Sequence, residues 1–503
     1  MKTFLLTFIF FILAQSIFAQ YRLSGKLITN EKAEDTIILN IPYVYGFYKS
    51  NNTYIPIQKD GSFNISLNLP KTKFGKLEIG SLSHTLYLES GKDLEIVIDS
   101  KASKIISFKG SGASANQLLG SLDIDAIPFF SKGGSDSSNI YARLSTKGIQ
   151  DSVVAPWQKL QQQKIDLINK SKESNSIKNL FAAEVRYATI NQLNSYSRGV
   201  IRMNRNDLIK FLISLNDSVS LKPMDINPGP QYYYFANNYV GYLEAKSFFN
   251  FTQKKLTNSD PLDFYHISID SGNILSKEKG KAFLNWLAVK NNFPEIIAEQ
   301  WLAQEIMKAS DYKELKQVNA LWQELKDNFP HSSYLPALTS KKKNLEQLLA
   351  NGNNNKEIIV WAGYDKVKNI SEVVSQFKGK VVYFDIWGTW CGPCKQELTF
   401  VPALKNRFKN KDVVFVYLDM DDDVKDQEWK DFIKVNNLTG VHLRKSNTDI
   451  QPFWNELLPD QKDRHGYYPT YFIFDKAGKL AVPMAKRPSD EEELYKQLES
   501  FLQ

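Results

Sequence analysis

The sequence predicts a multidomain protein: an N-terminal antiparallel β-sandwich, a central all-α region and a C-terminal α/β domain. Three observations predict it. Apolar residues alternate with polar ones up to about residue 113, and recur at threes and fours from about 114 to 350. After residue 355 short apolar strands alternate with helical stretches. The length of 503 residues suits about three domains. A composition of 43% hydrophobic and 23% charged residues is that of a globular chain and excludes a disordered one. The net charge of +8 is spread along the chain. A nucleic-acid binder would concentrate its basic residues, so no nucleic-acid partner is expected.

Residues 1–19 read as a secretory signal peptide. Lys2 is the only charge, an apolar run from Phe4 to Ala14 follows, and Ala19 is small enough for the cleavage position. The run is too short to span a bilayer, and no later stretch reaches the about 18 apolar residues that spanning needs. No cysteine lies near the cleavage point, which closes the lipoprotein route. The expectation is an exported protein of the periplasm or cell envelope, without a transmembrane segment once the signal is removed.

Residues 20–113 carry the β pattern. Phe63, Ile65, Leu67 and Leu69 alternate after a turn at Asp60-Gly61, and Leu94, Ile96 and Ile98 alternate behind Ser90-Gly91. Residues 114–350 carry the helical pattern. Trp157, Leu160, Ile165 and Ile168 mark one amphipathic face, and Tyr312, Leu315, Val318, Leu321, Trp322 and Leu325 mark another. Phe293-Pro294-Glu295 supplies the proline and the acid of a helix start. The aromatic cluster at Tyr232, Tyr233, Tyr234, Phe235, Tyr239 and Tyr242 is expected to be core packing beside Asn227-Pro228-Gly229-Pro230, with a ligand groove as the alternative.

Asn351-Gly352-Asn353-Asn354-Asn355 is small, polar and aperiodic, and is expected to be a linker. In residues 356–503, Val381 to Ile386 and Val413 to Leu418 read as strands, with helices at Glu397 to Phe408 and Gln427 to Val435. Tyr471 to Phe474 and Leu480 to Met484 form a closing hairpin across Ala477-Gly478, and a helix from Asp490 to Leu502 ends the chain.

The chain has two cysteines, and both fall in Trp390-Cys391-Gly392-Pro393-Cys394, after a strand and opening a helix. A thiolate at a helix N-terminus faces unpaired N–H groups and the positive end of the dipole, which lowers its pKa. Cys391 occupies that end, is expected to be exposed, and is the predicted nucleophile. Cys394 lies one turn further in, where it can attack a mixed disulfide on Cys391. Pro393 suits a first turn, which needs no N–H from it. Zinc would need two further ligands, and His442 and His465 have no ligand-like spacing, so no metal and no cofactor is expected. A structural disulfide closing so short a loop would remove little unfolded-state entropy.

The segment KGKVVYFDIWGTWCGPCKQE resembles the thioredoxin superfamily, specifically its extracytoplasmic TlpA/ResA-like thiol-disulfide oxidoreductases. The resemblance covers about residues 356–503 and implies a thioredoxin-like fold. It implies a redox-active disulfide between Cys391 and Cys394, and a cis-proline turn at Tyr468-Pro469-Thr470 that places Pro469 opposite Cys391. Trp390, Gly392, Pro393, Tyr468 and Pro469 would then line a substrate groove, with the Tyr468 backbone pairing an extended client strand. It also implies protein substrates bearing disulfides and a thiol protein as electron donor. GSFNISLNLP, LYLESGKDLEIVID and FKGSGASANQLL resemble the N-terminal β domain fused to such oxidoreductases in Bacteroidota envelope proteins.

Two acids are candidate proton acceptors for Cys394. Asp385 lies between Phe384 and Ile386 in an apolar strand, where an acid is costly unless used or paired. Glu397 resembles the acid that ResA-like proteins hold near the same thiol. A buried carboxyl has a raised pKa and can act as a base near neutral pH. DVVFVYLD departs from the family in lacking the lysine that partners the buried acid. The stretch from Thr448 to Tyr468, with Trp454, Arg464 and His465, is long for the family and reads as a surface insertion or a substrate rim. Asp419, Asp421 and Asp423 resemble the start of a calcium loop, but Val424 replaces its glycine and Lys430 its last acid, which excludes that site.

The sequence therefore predicts an exported protein disulfide reductase. The alternatives are a disulfide oxidase or isomerase, and a ligand-binding envelope protein whose thiol pair is regulatory.

Overall fold

A computed structural model describes residues 20–29, 35–99, 105–126, 139–217, 219, 221, 228–459 and 466–503. The predicted signal peptide lies outside the described residues, as do Asn227, Arg464 and His465. The chain divides into two compact units, one within Met1–Asp270 and Leu287–Gln300, the other within Ser271–Trp286 and Trp301–Gln503.

Among the described residues of the first unit, eight strands form two four-stranded sheets: β1 Gln20–Ile28, β2 Thr36–Asn40, β3 Asn52–Pro56, β4 Ser62–Asn68, β5 Lys73–Ile79, β6 Leu82–Leu88, β7 Leu94–Asp99 and β8 Ile106–Lys109. The sheet orders are β4-β1-β7-β8 and β3-β2-β5-β6. Alternate residues of both sheets, among them Tyr21, Leu23, Leu39, Leu77, Leu86 and Ile96, meet in one core, which makes a sandwich. One pairing differs from the antiparallel expectation: β1 and β7 run parallel, Leu23 opposite Leu94. The chain leaves the first sheet after β4, builds the β5–β6 hairpin in the second, and returns beside β1 in the same direction. On the outer face of the second sheet, Phe74 and Tyr87 pack into a second core with the helices Ala113–Leu122, Ala155–Lys170 and Asn175–Gly199. Tyr232, Tyr233, Phe235 and Tyr242 of the helix Pro230–Gln253 are buried, so the aromatic cluster is core, with Tyr234 facing out.

The second unit holds a six-stranded mixed sheet: β9 Ile358–Val360, β10 Val381–Trp387, β11 Val413–Asp419, β12 Gly440–Arg444, β13 Thr470–Phe474 and β14 Leu480–Val482. Their order is β14-β13-β10-β11-β12-β9, with β9 to β12 mutually parallel and the β13–β14 hairpin antiparallel. Every residue of β10 is buried, because helices cover both faces. Val382, Phe384 and Ile386 point into one layer, Val381 and Tyr383 into the other. The helix expected over Glu397 to Phe408 is two, Gly392–Glu397 and Val401–Arg407, with Pro402 starting the second.

The expected linker is corrected. Asn351 to Asn353 form the last turn of the helix Leu335–Asn353, which packs on the helix Asp426–Val435. Gly352 is buried, and a Cβ there would lie 2.3 Å from the Lys434 carbonyl oxygen. The glycine that suggested flexibility instead permits close approach of two backbones. Gly352→Val should therefore destabilise the second unit by about 1–3 kcal/mol, read as a lower thermal midpoint; an unchanged midpoint would show that the helix is not seated there.

Candidate active site

Cys391 and Cys394 are joined by a disulfide at the start of the helix Gly392–Glu397. Cys391 is the N-cap residue, and its Sγ accepts a hydrogen bond from the Cys394 N–H at 3.1 Å. The sulfur thus takes the place a capping oxygen usually holds, aimed at an otherwise orphan donor. Its exposure differs from expectation: Cys391 is only 4% exposed, because both cysteines pack into a cluster with Trp387, Tyr417, Trp429 and Phe432. Around it Trp390, Gly392 and Pro393 are exposed. Trp390 sits over Gly388, where a Cβ would come within 2.7 Å of its Nε1.

The Tyr468–Pro469 peptide is cis. The Tyr468 ring packs edge-on against Trp390 at 5.4 Å and against Trp454 at 6.1 Å. Tyr468 also borders the cysteine cluster, so the motif of residues 390–394 and the proline turn converge. Trp454 is buried core and not a rim residue.

Asp385 lies on β10 between Tyr417 of β11 and Tyr471 of β13. It is buried, and its Oδ1 has no hydrogen-bond partner among the described residues. Burial pushes its carboxyl well above the ordinary range; the nearby charge of Glu397 adds to the rise, and Lys405 opposes it. Glu397 is also buried, but both its oxygens are engaged, by the Ser489 N–H and hydroxyl, each at 2.9 Å. The two candidate acids are therefore not equivalent: one has an oxygen without a partner, and each oxygen of the other accepts a hydrogen bond.

Sequence reasoning missed two features. Lys405, on the helix Val401–Arg407, reaches across the rings of Phe415 and Tyr417 at 5.3 and 5.1 Å and donates to Thr439. Burial pulls its ammonium down to about 7, against the raising effect of Glu357 and Asp385. It brings from a helix the cation that β11 lacks, and only tertiary structure reveals it. Asp421, read as part of a failed calcium loop, is buried and accepts the Thr389 N–H at 3.2 Å, which ties the end of β11 to the loop before Cys391. Its neighbour Asp419 is buried too, and burial, with the Asp421 charge, holds its carboxyl well above the usual range. The run of alternating acids leaving an apolar strand was the available signal.

A family model described as Redoxin matches residues 366–498. The chain is 32% identical over 130 residues to the thiol-disulfide oxidoreductase ResA of Bacillus thuringiensis subsp. konkukian, covering 26% of this chain and 65% of that one. It thus spans just under two thirds of the length of that relative. It is 34% identical over 95 residues to the thioredoxin of Oryctolagus cuniculus, covering 17% of this chain and 89% of that one. Among solved structures, a thiol:disulfide interchange protein from Bacteroides sp. is 21% identical, covers 25% of this chain and 76% of that one, and has a TM-score of 0.21.

The buried acid has a measurable signature. A carboxyl whose folded-state pKa is raised holds its proton when the unfolded chain has lost it, so native stability falls as pH rises from about 3.8 to the folded pKa. Asp385→Asn removes that titration. The stability of the variant relative to wild type should be constant below this window and should grow inside it by at most about 1.4 kcal/mol per pH unit. Urea unfolding across pH reads this; a pH-independent difference would contradict a raised pKa.

Proposed function

The chain belongs to the thioredoxin superfamily through its C-terminal α/β domain, and from that premise we propose that it is an exported thiol-disulfide oxidoreductase that reduces disulfides of client proteins. The single observation that carries the reading is the Cys391–Cys394 disulfide at a helix start, with Asp385 buried in the strand that leads to it.

The Cys391 thiolate attacks one sulfur of a client disulfide. A mixed disulfide forms, and the other client sulfur leaves as a thiolate. Cys394 then passes its proton to Asp385 and attacks the Cys391 sulfur. The second client sulfur leaves, and the Cys391–Cys394 bond closes. Two electrons have moved to the client, and a donor thiol protein returns them to the cysteines. The helix N-terminus and the Cys394 N–H favour the thiolate at Cys391. Asp385 is preferred to Glu397 as acceptor because its Oδ1 has no partner among the described residues, whereas both Glu397 oxygens are engaged by Ser489. In this reading Trp390, Gly392 and Pro393 form one wall of the client groove, and Tyr468 and Pro469 the other.

Export rests on the apolar segment of residues 1–19. Among the described residues no helix is long and apolar enough to cross a membrane.

Insulin reduction tests the activity. Cys391→Ser should abolish it, and Asp385→Asn should slow it by about 100-fold near neutral pH; equal rates for wild type and Cys391→Ser would remove the catalytic claim. Cys394→Ala should accumulate mixed disulfides with clients. Direction is set by the reduction potential: a value near about −270 mV fits a reductase, whereas one near about −120 mV would make the protein an oxidant.

A further inference from the structure

Resting on the dithiol reading above, we propose that Glu314, supplied by the helical region, is a positioning residue of the redox site that neutralises Lys395 and keeps the Cys391–Cys394 pair reducing.

Lys395 directly follows Cys394, and its N–H donates to the Cys391 carbonyl at 3.1 Å. A lysine in the first turn of a surface helix normally extends into water. Here its side chain keeps only 11% of its exposure, and its ammonium is bonded to the Glu314 carboxylate. The same ammonium sits 5.5 Å over the ring of Tyr312 and 5.6 Å over that of Phe432. Phe432 belongs to the cluster that buries both cysteines. The charge of Lys395 is thus held by Glu314 and Tyr312, from outside the α/β domain, against Phe432, which packs with the dithiol.

Backbone geometry aims Glu314. After the helix Glu295–Asp311 the Lys313 N–H donates to the Ser310 carbonyl at 3.0 Å and the Glu314 N–H to the Ala309 carbonyl at 2.8 Å. That is a Schellman turn, with Lys313 in the left-handed position at φ 55°. The second oxygen of Glu314 accepts from Gln317 of the next helix, Leu315–Asn328. This turn and Thr389, two residues before Cys391, border one cavity of about 190 Å³.

Six of the other charges near this contact form three pairs. Lys316 meets Glu428 at 3.5 Å, Asp311 meets Lys341 at 3.2 Å, and Asp421 lies 3.8 Å from Lys425. Asp431 accepts from Gln427, and Lys313 also borders the cavity. Asp385, Glu397 and Lys405 act electrostatically on one another. Glu314 is the carboxylate bonded to Lys395. Without it, an uncompensated cation beside the cysteines favours the thiolate, and with it the reduced form, making the pair more oxidising.

The test uses the full chain, reduced, with iodoacetamide alkylation followed against pH and dithiol equilibrium read against glutathione. Glu314→Gln should lower the thiol titration midpoint by about half to one unit and shift the equilibrium about 3–10-fold toward the dithiol. Lys395→Gln should move both in the opposite direction, because Glu314 is then the uncompensated charge. Glu314→Gln combined with Lys395→Gln removes both charges and should return the midpoint and the equilibrium to near the wild-type values. A Glu314→Gln protein that titrates like wild type, or a double variant that titrates like Glu314→Gln, would overturn the proposal. If Glu314→Gln does not fold, Glu314→Ala is read by the same criteria. None of these readouts needs a client: opposed shifts in a protein that leaves insulin untouched would sink the reductase reading and retain this one.

Discussion

The site depends on a carboxyl group in the wrong medium. Asp385 sits in a strand buried along its whole length, with an oxygen that nothing among the described residues satisfies. Such a group is costly, and the surroundings moderate the cost without removing it. Tyrosines from both neighbouring strands flank it, Lys405 brings a distant positive charge, and Glu397, the other nearby acid, is tied down by Ser489. Each feature bears on one proton, the one that the proposed mechanism has Asp385 accept.

The sulfur pair has its own supports, and they come from scattered parts of the chain. Asp421, at the end of a parallel neighbour strand, fixes the loop before Cys391 through Thr389. The Cys391 sulfur caps its own helix. Tyr468 brings the proline turn against Trp390. A helical hairpin far upstream in sequence covers Lys395. The dithiol itself is local, four consecutive positions, but its environment is assembled from at least four segments.

That difference governs what could be read from the sequence. The cysteine motif and the buried acid were legible because each is a short pattern with its own chemical logic, whereas the tyrosine–proline turn was legible only through the resemblance. The strands of the α/β domain were legible from their apolar runs, although β9, β12 and the break between residues 397 and 401 were not, being too short or too polar to show a period. Lys405 and Glu314 were illegible for a different reason. Nothing about a lysine on an amphipathic helix, or a glutamate after a helix end, reveals which site it will reach. The asparagine-rich segment misled because small polar residues serve both flexible tethers and tight helix contacts, and composition does not distinguish them. Parallel pairing of β1 with β7 was hidden because alternation reports which face is buried, not which way a neighbour runs.

The seating of the helix Leu335–Asn353 on the helix Asp426–Val435 changes where the redox domain begins. By resemblance it starts near residue 356, but cutting there would strip the cover from a helix whose Trp429, Phe432 and Ile433 help bury the cysteines. The compact unit that carries the dithiol is therefore larger than the family outline, and the upstream helices are part of its wall. Residues far from the cysteine motif in sequence thereby share its surroundings while the motif itself keeps its four positions.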